Sequence, residues 1–244
     1  MVPSRETLPQ VEDGIVFIAV PDSAVAALAK EMSHTAMPSD TSFVHVSGSL
    51  GLDVLAVLGG HAVGSFHPLQ SFPAPRPPEA FQGITVAVDA STTGLERRLA
   101  QLARDIGARP RHVADEERVL YHAAAVFASN YVVAVIAEAV KILGKAGWSR
   151  DEAEQALLPL VEGVVANVRG AGVTKALTGP IRRGDLETVR RHMEALGEQG
   201  DLYRMLGLVA LEVAKEAGLE PAAAEQTRRA LTRNVAATRR RGRS

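Results

Sequence analysis

Short apolar runs separated by polar turns fill the first half of the chain, and longer apolar stripes at helical spacing fill the second. Residues 16–20, a turn at Pro21-Asp22 and a helix-like segment over 23–32 follow the order of a βα unit in a parallel sheet. The pattern predicts further strands at 42–46, 61–66 and 83–89, a short helix at 50–58, a longer one at 93–106 and an edge strand at 109–114. The stretch HPLQSFPAPRPP is too rich in proline to pair as a central strand, since proline has no amide hydrogen to donate. This alternation is α/β.

The pattern changes at Asp115, which reads as an N-cap with Glu116 and Glu117 in the first turn, where carboxylates suit the helix dipole. One helix is expected from there to Lys145, roughly 45 Å long at ~1.5 Å per residue. Everything beyond it is helical by periodicity, with Ser149 as a cap and glycines closing later helices. The expected organisation is α/β plus all-α: a sheet domain over residues 1–114, a helical domain over 115–235, and a basic, disordered tail over 236–244.

Composition narrows the class. With 46% hydrophobic residues and a formal net charge of -1, the chain reads as globular, with no global attraction to nucleic acid or anionic lipid. It has no cysteine, so neither a disulfide framework nor a thiolate nucleophile exists. The first ten residues carry no apolar signal region, so a cytoplasmic protein is expected. Residues 119–144 are apolar enough to suggest a membrane span, but His122, Asn130, Glu138 and Lys141 interrupt them, and the expectation is a buried helix of a soluble protein.

Candidate chemistry is sparse. A dinucleotide fingerprint needs glycines at i, i+2 and i+5 after a strand, and none of the glycines before residue 115 meets it. Gly170, Gly172 and Lys175 imitate its start but lie between helices, and no Walker loop occurs. Ser47-Gly48-Ser49-Leu50-Gly51 is one residue from the G-x-S-x-G elbow of serine hydrolases, with Ser49 as the nucleophile or, alternatively, as a helix cap. His67 falls just after a predicted strand, where an α/β sheet presents its ligand crevice, or is a turn histidine held by its neighbours. His122 and Ser129 lie seven apart on one helix line with Asn130 beside them, amid alanine, valine and phenylalanine; they either staple helices or face a polar cleft. Arg182, next to Arg183 and after the Thr178-Gly179-Pro180 turn, is placed to bind an anion or to sit in a solvated loop ahead of an Asp185 cap. The seven histidines show no paired spacing with carboxylates, so no metal site is expected.

In order, VFIAVPD, VHVSGSLGLDVL, GSFHPLQSF, YHAAAVFASNY and ALTGPIRRGD resemble a bacterial family of Rossmann-like proteins with a DUF2520 C-terminal domain. That family is related to NADP-dependent and coenzyme-F420-dependent oxidoreductases of the 6-phosphogluconate dehydrogenase-like group, and the likeness runs from about Gly14 to Arg233. The resemblance implies a dinucleotide-binding first domain, a helical second domain that makes a homodimer, and a cleft between them that takes a small-molecule substrate. Family members open with a G-x-G-x-x-G strand-turn-helix; that portion is expected to be absent here, with Val16 in the strand that follows it. The implied cofactor is NADP, with coenzyme F420 as the other choice, near Val20, Pro21, Asp22, Ser47 and Gly48. His67, His122, Ser129 and Asn130 are implied around the reacting carbon, with Thr178 and Arg182 on the substrate side. HAAAVFASN also resembles the catalytic helix of ketopantoate reductases: His122 stands in the place of a lysine, Val126 replaces a first asparagine and Asn130 keeps a second. A dimeric, non-catalytic remnant is the alternative reading.

Overall fold

The computed structural model describes residues 13–197 and 200–232. The chain divides after Ala134 into two compact units. Five strands form one sheet in chain order: β1 (Ile15–Ile18), β2 (Ser42–His45), β3 (Val63–Pro68), β4 (Thr85–Ala90) and β5 (Arg109–His112). The expected parallel arrangement holds for β1–β2, β2–β3 and β4–β5, whereas β3 and β4 pair antiparallel. The reason is the proline-rich connection. A parallel return needs a crossover such as a helix, and the segment between β3 and β4 supplies only a single 3-10 turn at Pro78–Phe81. β3 also runs through His67 and Pro68, so His67 lies within the strand and not after it.

Both faces of the sheet are covered. Helix α1 (Asp22–Met32) and a 3-10 helix (Leu52–Leu58), within the short helix expected at 50–58, pack Val25, Ala29 and Leu55 against Ile18 and Phe43. On the other face α2 (Thr93–Asp105) packs Leu95, Leu99 and Ala103 against Val44, Phe66, Val86 and Val88. β2 is buried along its whole length, which is why SFVH reads as a central strand.

The long helix differs from expectation in three ways. It is two helices, α3 (Asp115–Ala128) and α4 (Asn130–Lys145), broken at Ser129, where φ is -125° and ψ is -75°. The Ser129 hydroxyl donates to the Ala125 carbonyl at 2.7 Å, a local bond that competes with the helical ladder. Asp115 is the first helical residue instead of the cap: Ala114 precedes it and donates its backbone N–H to Glu117 Oε2 at 3.2 Å. Finally, the helix is not buried. In the most apolar 18-residue window of 115–145 only 6% of residues are inside, although length and composition would let it cross a membrane. Arg118 is buried and Tyr121 and His122 are half-buried, while Val119, Leu120 and Phe127 stand in solvent. Arg118 and Tyr121 reach residues of the sheet, so polar side chains occupy the inward stripe and hydrocarbon is left outside.

The second unit contains α5 (Arg150–Ala171), the short α6 (Val173–Ala176) and α7 (Gly179–Arg183), then α8 (Leu186–Leu196), α9 (Gly200–Glu216) and α10 (Pro221–Thr232). Its core is Ile181, Val189, Leu211, Ala214, Ala224 and Leu231. The expected caps form: Ser149 Oγ accepts from Glu152 N, and Asp185 accepts from both the backbone N–H and the hydroxyl of Thr188. Gly184 ends α7 in the left-handed region at φ 67°, as a C-cap glycine does. The basic tail at 236–244 lies outside the described residues.

Candidate active site

The C-terminal ends of β2 and β3 and one side of α3 bring together the polar side chains of the first unit. Past β2 the chain turns through Ser47 and Gly48, and this turn is tied down from several sides. Ser47 Oγ accepts the N–H groups of Ser49 and Leu50, both at 3.1 Å. The hydroxyls of Ser47 and Ser49 each donate to Asp22 Oδ2 at 2.8 Å, which joins the turn to the first residue of α1. Ser49 therefore meets a carboxylate, and no imidazole contacts it as a hydrolase base would.

Gly48 is required by space. A Cβ there would lie 2.8 Å from His122 Nδ1 and 2.8 Å from both Cε1 and Nε2 of His67, so two imidazoles converge on its bare backbone. Their rings stand edge-on, with centroids 6.3 Å apart. His67 Nδ1 is 2.8 Å from the hydroxyl of Tyr121, and His122 Nδ1 is buried without a hydrogen-bond partner.

Beneath this pair runs a polar row. Strand register sets His45 beside Ser65 and Ser65 beside Asp89, and neighbours in register share a face. Arg118 of α3, 1% exposed, pairs through Nε with Asp115 at 3.1 Å and lies 3.6 Å from Asp89. Asp115 in turn accepts Leu52 N, linking α3 to the 3-10 helix. His45 Nε2, Ser65 Oγ and both terminal nitrogens of Arg118 are buried without hydrogen-bond partners. Such burial is expensive, since polar groups taken out of water normally find partners.

Electrostatics follow from this crowding. Burial pushes the His45 imidazole down to about 4, and the Arg118 charge adds to the effect. Burial likewise lowers His67 to about 4, with His122 and Arg118 contributing. The Tyr121 phenol is pushed up to about 12 by burial, and burial raises the Asp89 carboxyl above its usual range. At neutral pH the pair His67–Tyr121 is thus uncharged.

Of the residues singled out in the sequence, the structure gathers His67, His122, Ser47, Gly48 and Asp22 into one place. Val20 and Pro21 lead from β1 into α1 beside them in the chain. Ser129 and Asn130 are bonded to each other at 2.9 Å, roughly 10 Å further along the helix than His122. Thr178 and Arg182 belong to the second unit, where Arg182 Nη2 donates to the Ala217 carbonyl at the end of α9 at 2.8 Å. His45, Asp89, Arg118 and Tyr121 were not singled out. Their signals are faint: a histidine in a four-residue buried strand, an aspartate ending an apolar run, a tyrosine directly before His122 and an arginine one helical turn before it. No group of three or more metal-ligating side chains occurs among the described residues.

The profile of the domain of unknown function DUF2520 matches residues 84–210, just over half of the chain. No curated protein matches it. Among solved structures, a protein from Thermotoga maritima shares 29% identity, with a TM-score of 0.71 over 84% of this chain and 80% of that one. A Bacteroides fragilis protein described as a "putative NADP oxidoreductase" shares 25% identity, with a TM-score of 0.68 over 84% of this chain and 78% of that one. Plasmodium falciparum pyrroline carboxylate reductase, solved with NADP bound, is 13% identical with a TM-score of 0.54 over 89% of this chain and 77% of that one, a likeness of fold alone.

Proposed function

The chain belongs to the DUF2520 family, and from that premise we propose that it is an oxidoreductase of the NADP-linked, Rossmann-like kind, acting on a small carbonyl or hydroxy compound. The observation that carries the reading is the meeting of His67 and His122 over Gly48 at the C-terminal ends of adjacent parallel strands, where α/β sheets hold their ligands. The cofactor proposed is NADP, with coenzyme F420 second. What speaks for a ligand there is the buried, unpartnered imidazole nitrogen of His122 beside Gly48, a group that a bound ring or its substrate would engage. Val20, Pro21, Asp22, Ser47 and Gly48 would hold that ring, and a nicotinamide bound there supplies the hydride.

The chain's own residues supply the rest. His122 gives or takes the proton at the substrate oxygen, a role worth about 10²–10⁴ in rate for a well-placed acid or base. Asp22 orients the turn by accepting two serine hydroxyls, so its carboxylate is committed to position. The test is NADPH oxidation with a panel of small aldehydes, ketones and 2-oxo acids. His122→Ala is expected to lose about 10²-fold or more of the turnover. Undiminished turnover in that variant overturns the assignment.

A homodimer in the cytoplasm completes the reading. Val133 on α4, and Leu160 and Val164 on α5, are half or more exposed, and monomers rarely leave so many large aliphatic groups in water. A second copy, presenting the same faces through a two-fold axis, would cover them. One observation favours a different reading, a dimeric binding protein without catalysis: the chain contains no G-x-G-x-x-G to cradle a diphosphate.

A further inference from the structure

We infer that Tyr121 is a positioning residue that fixes His67 in the tautomer protonated on Nε2, making His67 a hydrogen-bond donor toward the space over Gly48 and not a base. The argument begins with the 2.8 Å contact between His67 Nδ1 and the Tyr121 hydroxyl. A phenol is a stronger acid than a neutral imidazole N–H, and an imidazole lone pair is a better acceptor than a phenol oxygen. The O–H therefore donates and Nδ1 accepts. An imidazole whose Nδ1 lone pair is engaged carries its proton on Nε2.

The other end of the ring completes the case. Nε2 lies 2.8 Å from the position a Cβ would take at Gly48, which is also 2.8 Å from His122 Nδ1. The charged and titratable groups around His67 are Arg118, Asp22, His45, His122 and Tyr121; burial, His122, Arg118 and His45 hold the ring neutral at pH 7 against the opposing pull of the Asp22 carboxylate. A neutral ring with Nε2–H at a strand end is suited to an oxygen acceptor, the carbonyl of a substrate, whose developing negative charge it would stabilise. In that division His67 polarises the oxygen and His122 handles the proton. The substrate half of this statement rests on the oxidoreductase reading; the tautomer does not.

The experiment is long-range ¹H–¹⁵N correlation of the histidine side chains in the full chain at pH 7, wild type against Tyr121→Phe, without cofactor or substrate. The wild type is expected to show His67 with a protonated Nε2 and a hydrogen-bonded, unprotonated Nδ1. Removing one oxygen in Tyr121→Phe is expected to raise the population protonated on Nδ1, moving the averaged Nδ1 resonance upfield and the Nε2 resonance downfield. A wild-type His67 protonated on Nδ1 or on both nitrogens, or His67 signals identical in the two proteins, overturns the inference. Because the spectrum needs no turnover, an inactive protein would count against the oxidoreductase reading alone, and the nitrogen shifts would still decide the tautomer.

Discussion

The sheet with α3 and the helices α4 and α5 solve burial in opposite ways. The first puts charge inside: Arg118, His45, Ser65 and Asp89 are buried in contact or in register around α3 and three strands. The second puts hydrocarbon outside: Ala153 is the one fully buried residue of α5 and α4 has none, while Leu158, Leu160, Val133 and Val164 are exposed. Folding alone favours neither arrangement, since buried polar atoms without hydrogen-bond partners and exposed aliphatic surface both raise the free energy of a monomer. The difference teaches that each region is shaped by something besides its own stability. On the proposed reading, a polar ligand accounts for the sheet unit and a second copy of the chain for the helices.

Breaking the buried charge should have the largest consequence. Arg118→Ala leaves Asp89 without its neighbour at 3.6 Å and Asp115 without its bond at 3.1 Å. Removing one partner of a buried pair costs about 3–5 kcal/mol, and because Asp115 is half exposed urea unfolding is expected to register the lower end of that range. Leu99→Ala, in the packed core under α2, should cost about 2–5 kcal/mol in the same assay, whereas Leu160→Ala on α5 should stay within about 0.5 kcal/mol. Equal losses from the two leucines would erase the contrast.

Gly48→Ala inserts a methyl 2.8 Å from two rings that cannot both retreat without disturbing Tyr121. The expected stability loss is about 1–3 kcal/mol, as for overpacking elsewhere, and ligand binding at the turn should be lost with it.

The pH dependence acts more gradually. His45 and His67 have folded pKa values near 4 against 6.5 for the free side chain, so between those values the unfolded chain binds more protons. Stability is therefore complete above about pH 6.5 and falls as pH drops toward 4, with a slope approaching two protons. Asp89, raised by burial, works in the opposite sense and softens the loss at the acidic end. Chemical denaturation at a series of pH values checks this, and His45→Gln should remove about half the slope.

The smallest effect on folding, and the sharpest test of the outer surface, is Leu160→Arg. At protein concentrations too low for the proposed dimer its unfolding midpoint should barely move, while sedimentation at higher concentration should show the dimer replaced by a monomer.

The strands and the first two helices were legible because alternation and capping work locally: Thr92 caps α2 by accepting from Leu95 N, and Val44 and Phe43 face opposite cores. The antiparallel step at β3–β4 was not, because proline content says which strand cannot be central and nothing about direction. The break at Ser129 was hidden because a serine in a helical stripe gives no sign of which carbonyl its hydroxyl will take. The inversion of α3 was the deepest miss. Reading apolar residues as inward assumes an apolar surface opposite, but the surface opposite α3 presents Asp89 and His67, so Arg118 and Tyr121 turned in. His67, His122 and Gly48 were found through strand-end position and family resemblance. His45 and Asp89 escape sequence reading because His45 lies between two valines inside a predicted strand and Asp89 looks like the last member of an apolar run.

The account stands or falls on whether the turn at Gly48 receives the ring of a nicotinamide cofactor. Titrating the purified chain with NADPH, followed by cofactor fluorescence, is the direct measurement. Saturable binding between about 1 μM and 1 mM, weakened at least about tenfold (~1.4 kcal/mol) in Gly48→Ala, is the predicted result. No saturable binding by the wild type, or equal binding by the variant, would contradict it.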